Sequence, residues 1–195
     1  GYFSVEQTNR IMEAGKKHGL IPKIHVNQFT AIGGVKAAVD QHALSVDHLE
    51  EMNPEDYEAL KGSDTIPVAL PGCSFFLSIP YTPAREIIDS GLALALASDY
   101  NPGSTPSGNM QFVVATACIK MKMTPEEAFN AATLNGAYAM GLSDRLGSIS
   151  IGKLASFYIT KKIDSYAYIP YAFGSDHVDT VFVKGEIVRS GEVID

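Results

Sequence analysis

The chain has 195 residues, 46% of them apolar and 19% charged, a balance that excludes a disordered chain and is long enough to bury a core. A net charge of −7, with no basic cluster beyond Lys16-Lys17 and Lys161-Lys162, excludes a nucleic-acid surface. No apolar run approaches the roughly 20 residues of a membrane span and no signal-peptide pattern opens the chain, so no membrane partner is expected. In chain order, Ser4 with Gln7 three residues on is a helix start, and the apolar spacing predicts a helix from Val5 to His18, closed by Gly19. A strand follows over Leu20–Val26, a helix over Gly33–His42, and a second strand over Leu44–His48. Asn53-Pro54 opens a third helix, with Asn as cap and Pro at its first position. Ile66–Gly72 reads as a third strand and Thr82-Pro83-Ala84 as the start of a fourth helix. Leu92–Ser98, an unbroken apolar run, reads as a strand buried on both faces, as in parallel sheets. Met110–Lys122 and Pro125–Met140 are two further helices, the second capped by Thr124 and closed by Gly141. From Leu146 the pattern changes to alternation: Leu146–Thr160, Val178–Val183 and Gly185–Val193 read as antiparallel strands, the last two turning at Lys184-Gly185.

The rhythm is the informative part. His48 follows His25 by 23 residues, Gly72 follows His48 by 24, and Asp99 follows Gly72 by 27. A strand, a crossover helix and a return strand occupy about 25–30 residues, so these are successive βα units of a right-handed parallel sheet. The fold class is α/β: part of a TIM-like (β/α)8 barrel over residues 1–145, with a small β-sandwich element over 146–195.

His25, His48 and Asp99 all fall at the carboxyl end of this sheet, where open α/β sheets and barrels place their chemistry. Two imidazoles and one carboxylate suit a borderline divalent metal, and an Asp beside such a metal can act as a general base. For a lone histidine the better reading is a hydrogen bond to loop backbone, while a lone strand-end Asp is as readily a cap of the following helix as a site residue. Their shared placement reverses that. Gln28 either points into the same mouth or is a plain loop residue. Asp47 and Glu50 flank His48 and are expected to be solvated loop carboxylates. Cys73 and Cys118 have no metal-ligand spacing, which predicts a cytoplasmic protein with free thiols; Cys73 is read as a buried or lining thiol. Asn101-Pro102-Gly103-Ser104 cannot continue a strand, and its backbone N–H groups are expected to be free to meet an anion.

Four stretches, Lys23–Phe29, Ala43–Glu50, Ala69–Gly72 with Phe75-Phe76, and Ala97–Ser104, together resemble consecutive signatures of the imidazolonepropionase family in the amidohydrolase superfamily. Leu146–Ile149, Gly152–Ala155 and Val181–Gly185 resemble the β-sandwich return common in that superfamily. The resemblance implies hydrolysis of 4-imidazolone-5-propanoate to N-formimidoyl-L-glutamate, a step of histidine degradation. It places metal ligands (Zn2+ or Fe) on His25 and Asp99, with Asp99 also the base. It places a contact to substrate or water on His48, a hydrogen bond to the reacting group on Gln28, and a carboxylate-holding loop on Asn101, Gly103 and Ser104. The family's first-strand His-x-His has no counterpart among His18, His25, His42, His48 and His177. The chain therefore resembles the carboxyl half of such an enzyme, expected to need a homo-oligomeric copy or an amino-terminal half to cover its open edges. The alternatives are another metal-dependent amidohydrolase, such as a cyclic-amidine deaminase, or a non-catalytic assembly module.

Overall fold

The computed structural model describes residues 3–191. It opens with α1 (Val5–Lys16), whose capping box is complete: the Gln7 amide donates to Ser4 Oγ and the Ser4 amide to Gln7 Oε1. Then come β1 (Lys23–Val26), α2 (Gly34–Asp40), β2 (Ser45–His48) and α3 (Pro54–Leu60). They are followed by β3 (Ile66–Ala69), α4 (Pro71–Leu77), α5 (Ala84–Asp89) and the two-residue β4 (Ala95–Leu96). Beyond these lie α6 (Met110–Lys120), α7 (Pro125–Ala132), α8 (Leu134–Ala139), β5 (Phe157–Thr160), α9 (Tyr168–Tyr171), β6 (Val178–Val183) and β7 (Glu186–Arg189).

Strands β1 to β4 form one parallel sheet in sequence order, joined by helical crossovers as the spacing predicts. β2 and β3 are buried along their whole length, which explains their unbroken apolar character; β1 is an edge, half-exposed in alternation. Alternation sorts the side chains into two faces. Val46 packs with Val35 and Ala38 of α2 and Leu60 of α3, while Leu94 and Leu96 pack with Ile87 of α5 and Val113 of α6. On the opposite face Ile66, Val68, Leu70 and Ala95 meet Ala139 of α8. That face also borders a concave cavity of about 750 Å³, running from His25, Asp47 and Asp99 at the strand ends to Phe157 and Tyr158 of β5.

Four sequence expectations change, the first being that the run Leu92–Ser98 is a strand only at Ala95–Leu96, so that Asp99 lies in the loop three residues beyond it. Pro71-Gly72 does not end a strand but starts α4: Pro71 has no N–H to lose, which suits the first helical position. The helix expected over Pro125–Met140 is two helices broken at Thr133, whose hydroxyl bonds back to the Phe129 carbonyl at 2.6 Å and whose backbone leaves helical values. The first part of the expected strand Leu146–Thr160 is a turn region. Gly147 and Gly152 adopt positive φ there, and a Cβ on Gly147 would come within 2.7 Å of Ala137 Cβ. Only Phe157–Thr160 pairs, antiparallel to β6, which in turn pairs with β7 across Lys184-Gly185, both at positive φ as a two-residue hairpin demands. The expected end of the last strand, Val193, lies outside the described residues.

Ile87 is fully buried between α5 and the sheet, whereas Ile119 on α6 is 58% exposed. Ile87→Ala is expected to lower the unfolding free energy by about 2–5 kcal/mol, and Ile119→Ala by no more than about 0.5 kcal/mol. Denaturant unfolding of the two variants reads the difference directly.

Candidate metal centre

The site is built on strand ends that leave the extended conformation. Asn27, His48, Leu49 and Asp99 all have positive φ, a region that costs non-glycine residues about 1–3 kcal/mol each unless the surroundings impose it. The register shows why one of these turns matters. His25 lies opposite Asp47 and Val26 opposite His48, so in regular strands His25 and Asp47 share a face and His48 points to the other. A φ of 89° at His48 swings its side chain back. Its ring then stands 4.8 Å from that of His25, tilted by 60°. One potential ligand atom from each of His25, His48 and Asp99 lies within 4.8 Å of the others.

Each of the three has a neighbour that orients it. Asp47 Oδ2 lies 3.8 Å from His25 Nε2, and its Oδ1 accepts the Ser45 hydroxyl at 2.8 Å. Glu50 Oε1 lies 3.4 Å from His48 Nδ1 and accepts the Ser74 hydroxyl at 3.0 Å. The Thr82 hydroxyl holds the His48 carbonyl at 2.6 Å, and the Thr105 hydroxyl reaches Asp99 Oδ2 at 3.4 Å. Thr105 can come this close because the second residue of α4 is a glycine: a Cβ on Gly72 would lie 2.9 Å from Thr105 Cγ2. Asp47 and Glu50 are thus buried and not the solvated loop carboxylates expected from the sequence. The reason is the register, which presses Asp47 against His25, and the burial of the β2–α3 loop beneath α4.

Gln28 lines a neighbouring cavity that shares His25 with the first, and its Nε2 lies 3.3 Å from the fully buried Cys73 sulfur. Burial pushes the Cys73 thiol above its ordinary pKa; the Ser104 hydroxyl offsets this, Asp99 and Glu50 add to it, and the Thr105 hydroxyl again opposes. A thiol held in the protonated form is a poor nucleophile, and of the two readings from the sequence Cys73 is the buried thiol. The loop after Asp99 departs from expectation. Asn101 Oδ1 accepts the amides of Gly103 at 2.9 Å and Ser104 at 2.8 Å, and Asn101 Nδ2 donates to the Asp99 carbonyl at 2.7 Å. These amides are therefore not free: the Asn101 side chain already occupies the place of an anion, and a carboxylate ligand must displace it or bind beside it. Sequence reading also passed over Ser74 and Thr105, for which the chain offers no local signal.

A parallel α/β sheet that gathers potential metal donors at its strand ends, beside a small antiparallel sheet, is the class of protein that the fold and the site define. The chain matches the amidohydrolase family over residues 3–188 and belongs to it. Among individual relatives it is 70% identical over 188 residues to imidazolonepropionase of Flavobacterium johnsoniae, a match covering 96% of this chain and 46% of that protein. It is 43% identical over 196 residues to imidazolonepropionase of Alkaliphilus oremlandii, with 100% and 46% covered. The chain spans about half the length of the curated relatives it matches. Among solved structures it resembles an adenosine deaminase from Xanthomonas campestris with bound zinc (TM-score 0.79, 20% identity, 97% of this chain and 50% of that one). Ochratoxinase from A. niger is similar at TM-score 0.78 and 21% identity, with 98% and 46% covered. These last two likenesses show the amidohydrolase fold. Among the described residues no helix is long and apolar enough to cross a membrane.

The Asn101 turn carries its own expectation. Asn101→Ala removes the acceptor for two amides, so hydrogen exchange of Gly103 and Ser104 should accelerate while that of the β2 and β3 amides stays unchanged. NMR-detected exchange distinguishes this from a global loss of stability, which would speed both groups.

Proposed function

We propose that this chain contributes strands five to eight of a (β/α)8 barrel, with the catalytic residues they carry, to an imidazolonepropionase. That enzyme hydrolyses a ring C–N bond of 4-imidazolone-5-propanoate to give N-formimidoyl-L-glutamate. The observation that carries this reading is the convergence of His25, His48 and Asp99 from three strands onto one spot, in a chain 70% identical to an enzyme so named. The remaining strands and metal donors come from polypeptide outside residues 3–191, either an amino-terminal segment or a second copy.

The donor set fits a metal. Two imidazole nitrogens and a carboxylate gathered within 4.8 Å match the nitrogen and oxygen donors of hydrolytic zinc sites, with His25 and Asp99 as the ligands and His48 within reach. A zinc or iron ion there supplies Lewis-acid activation of water and of a carbonyl. Asp99 takes the proton of the attacking water and delivers it to the ring nitrogen as the C–N bond breaks; the water oxygen ends on the former ring carbonyl carbon. Thr105 keeps the Asp99 carboxylate oriented for this transfer. His48 contacts the substrate or the water, and Gln28 hydrogen-bonds the reacting group from the edge of the mouth. The substrate's carboxylate is met by the Asn101–Ser104 loop, exchanging with the Asn101 oxygen that holds those amides.

Turnover of the intact enzyme tests this. Asp99→Asn should lower it by about 10²–10⁴-fold, because an amide neither carries the proton nor ligates well. Gln28→Ala should cost about 0.5–1.5 kcal/mol, the loss of one neutral hydrogen bond. A substrate analogue lacking the propionate carboxylate should react more slowly than the parent. Equal rates on the two would favour a deaminase of cyclic amidines, and near-normal turnover by a metal-loaded Asp99→Asn variant would make Asp99 a structural cap.

A further inference from the structure

Glu50 is the least explained group near the site. Its side chain is fully buried, yet among the described residues Oε2 has no hydrogen-bond partner. Both of its neighbouring donors converge on Oε1: the Ser74 hydroxyl at 3.0 Å and His48 Nδ1 at 3.4 Å. The imidazole is equally enclosed, at 5% side-chain exposure, against the His25 ring on one side and with its carbonyl pinned by Thr82. His48 thus has one nitrogen facing a carboxylate, and a ligand atom of its ring lies within 4.8 Å of those of His25 and Asp99.

We infer that Glu50 is the positioning residue of His48: it accepts the Nδ1 proton, fixes the ring tautomer, and leaves Nε2 as a bare lone pair facing the substrate side. The physical reason is the donor inventory. A carboxyl oxygen that carries no proton can only accept, so in a neutral imidazole the contact with Nδ1 places the ring's single proton there. A neutral imidazole carries one N–H, and its second nitrogen is then an acceptor. Ser74 holds the carboxylate so that Oε1, and not Oε2, meets the ring. The backbone twist at His48 is what makes this pairing possible, because it turns the ring inward over Glu50 instead of outward through the sheet.

This has a consequence for the hydrolase reading, on which its catalytic meaning rests. With Nδ1–H committed to Glu50, a neutral His48 cannot also donate from Nε2 to a substrate carbonyl. It accepts instead, from an N–H of the substrate ring or from water, or gives its lone pair to the metal. Polarising the carbonyl then falls to other groups. The same principle holds in many metal sites, where a carboxylate behind an imidazole sets which nitrogen works.

Long-range ¹H–¹⁵N NMR on the metal-free intact protein, at about pH 9 where an ordinary imidazole is neutral, reads the tautomer directly. The expected result is a protonated, pyrrole-type Nδ1 and an unprotonated, pyridine-type Nε2 for His48 in the wild type. Glu50→Gln, which retains an oxygen acceptor, should keep that pattern. Glu50→Ala should move the ring toward the Nε2–H form. A wild-type ring protonated at Nε2 overturns the inference whether or not the variants fold, and so does an unchanged pattern in a folded Glu50→Ala protein. Since the readout needs no turnover, failure of the hydrolase reading leaves this result standing, and a wrong tautomer leaves the hydrolase reading intact.

Discussion

The centre of this structure depends on one backbone distortion, the positive φ of His48 at the end of β2. Alternation in a regular strand would send that imidazole through the sheet to the helix-covered face, beside Val46's partners on α2 and α3. The twist returns it to the face that carries His25 and Asp47, and only then do three donors from three strands share one point. A left-handed conformation at a bulky residue is unfavourable by itself, so it persists because the neighbourhood imposes it. The Thr82 hydroxyl on the His48 carbonyl, the Leu49 amide bonded to the Val26 carbonyl, and fully buried Leu49 packed beside Leu60 are the contacts that do so.

Around this point the fold supplies rigidity from behind. Asn27, also left-handed, donates to Asp56 Oδ2, which accepts the Asn53 amide as part of the cap of α3. The loop after β1 is thereby tied to the helix after β2, and His25 and Gln28 are carried on a braced segment. On the far side, the Asn135 side chain donates to the Leu94 carbonyl, fixing the entry to β4 from α8. Strand ends held from both sides can present polar groups without collapsing into the adjacent apolar cavity. Buried polar groups with assigned partners are costly to rearrange, which is what a pre-organised site requires.

Much of this was legible in the sequence. The near-regular intervals from His25 to His48, Gly72 and Asp99 give the parallel order because crossover units have a narrow length range. The caps at Ser4 and Thr124 are local signals with local causes and form as read, while Asn53 holds the cap position of α3 through its amide bonded to Asp56 Oδ2. What was not legible depends on distant parts of the chain. Asp47 and Glu50 look like any loop carboxylates until the register sets one against His25 and the packing of α4 buries the other. The Asn101 side chain folding into its own turn competes with an external anion, and a motif alone cannot say which acceptor the amides choose. Pro71 illustrates the same limit: proline can end a strand or begin a helix, and here it begins α4 after β3 has already ended at Ala69.

His25 and Asp99, brought together by the sheet, are the proposed ligands of a metal ion. Equilibrium dialysis of the intact protein against zinc, followed by elemental analysis, tests this claim most directly when wild type is compared with His25→Ala and Asp99→Ala. Stoichiometric zinc in the wild type, lost from each variant while the thermal transition of the metal-free proteins barely changes, is the result expected from a site held by the scaffold. Undiminished zinc in both variants would contradict the claim and place the ion elsewhere in the protein.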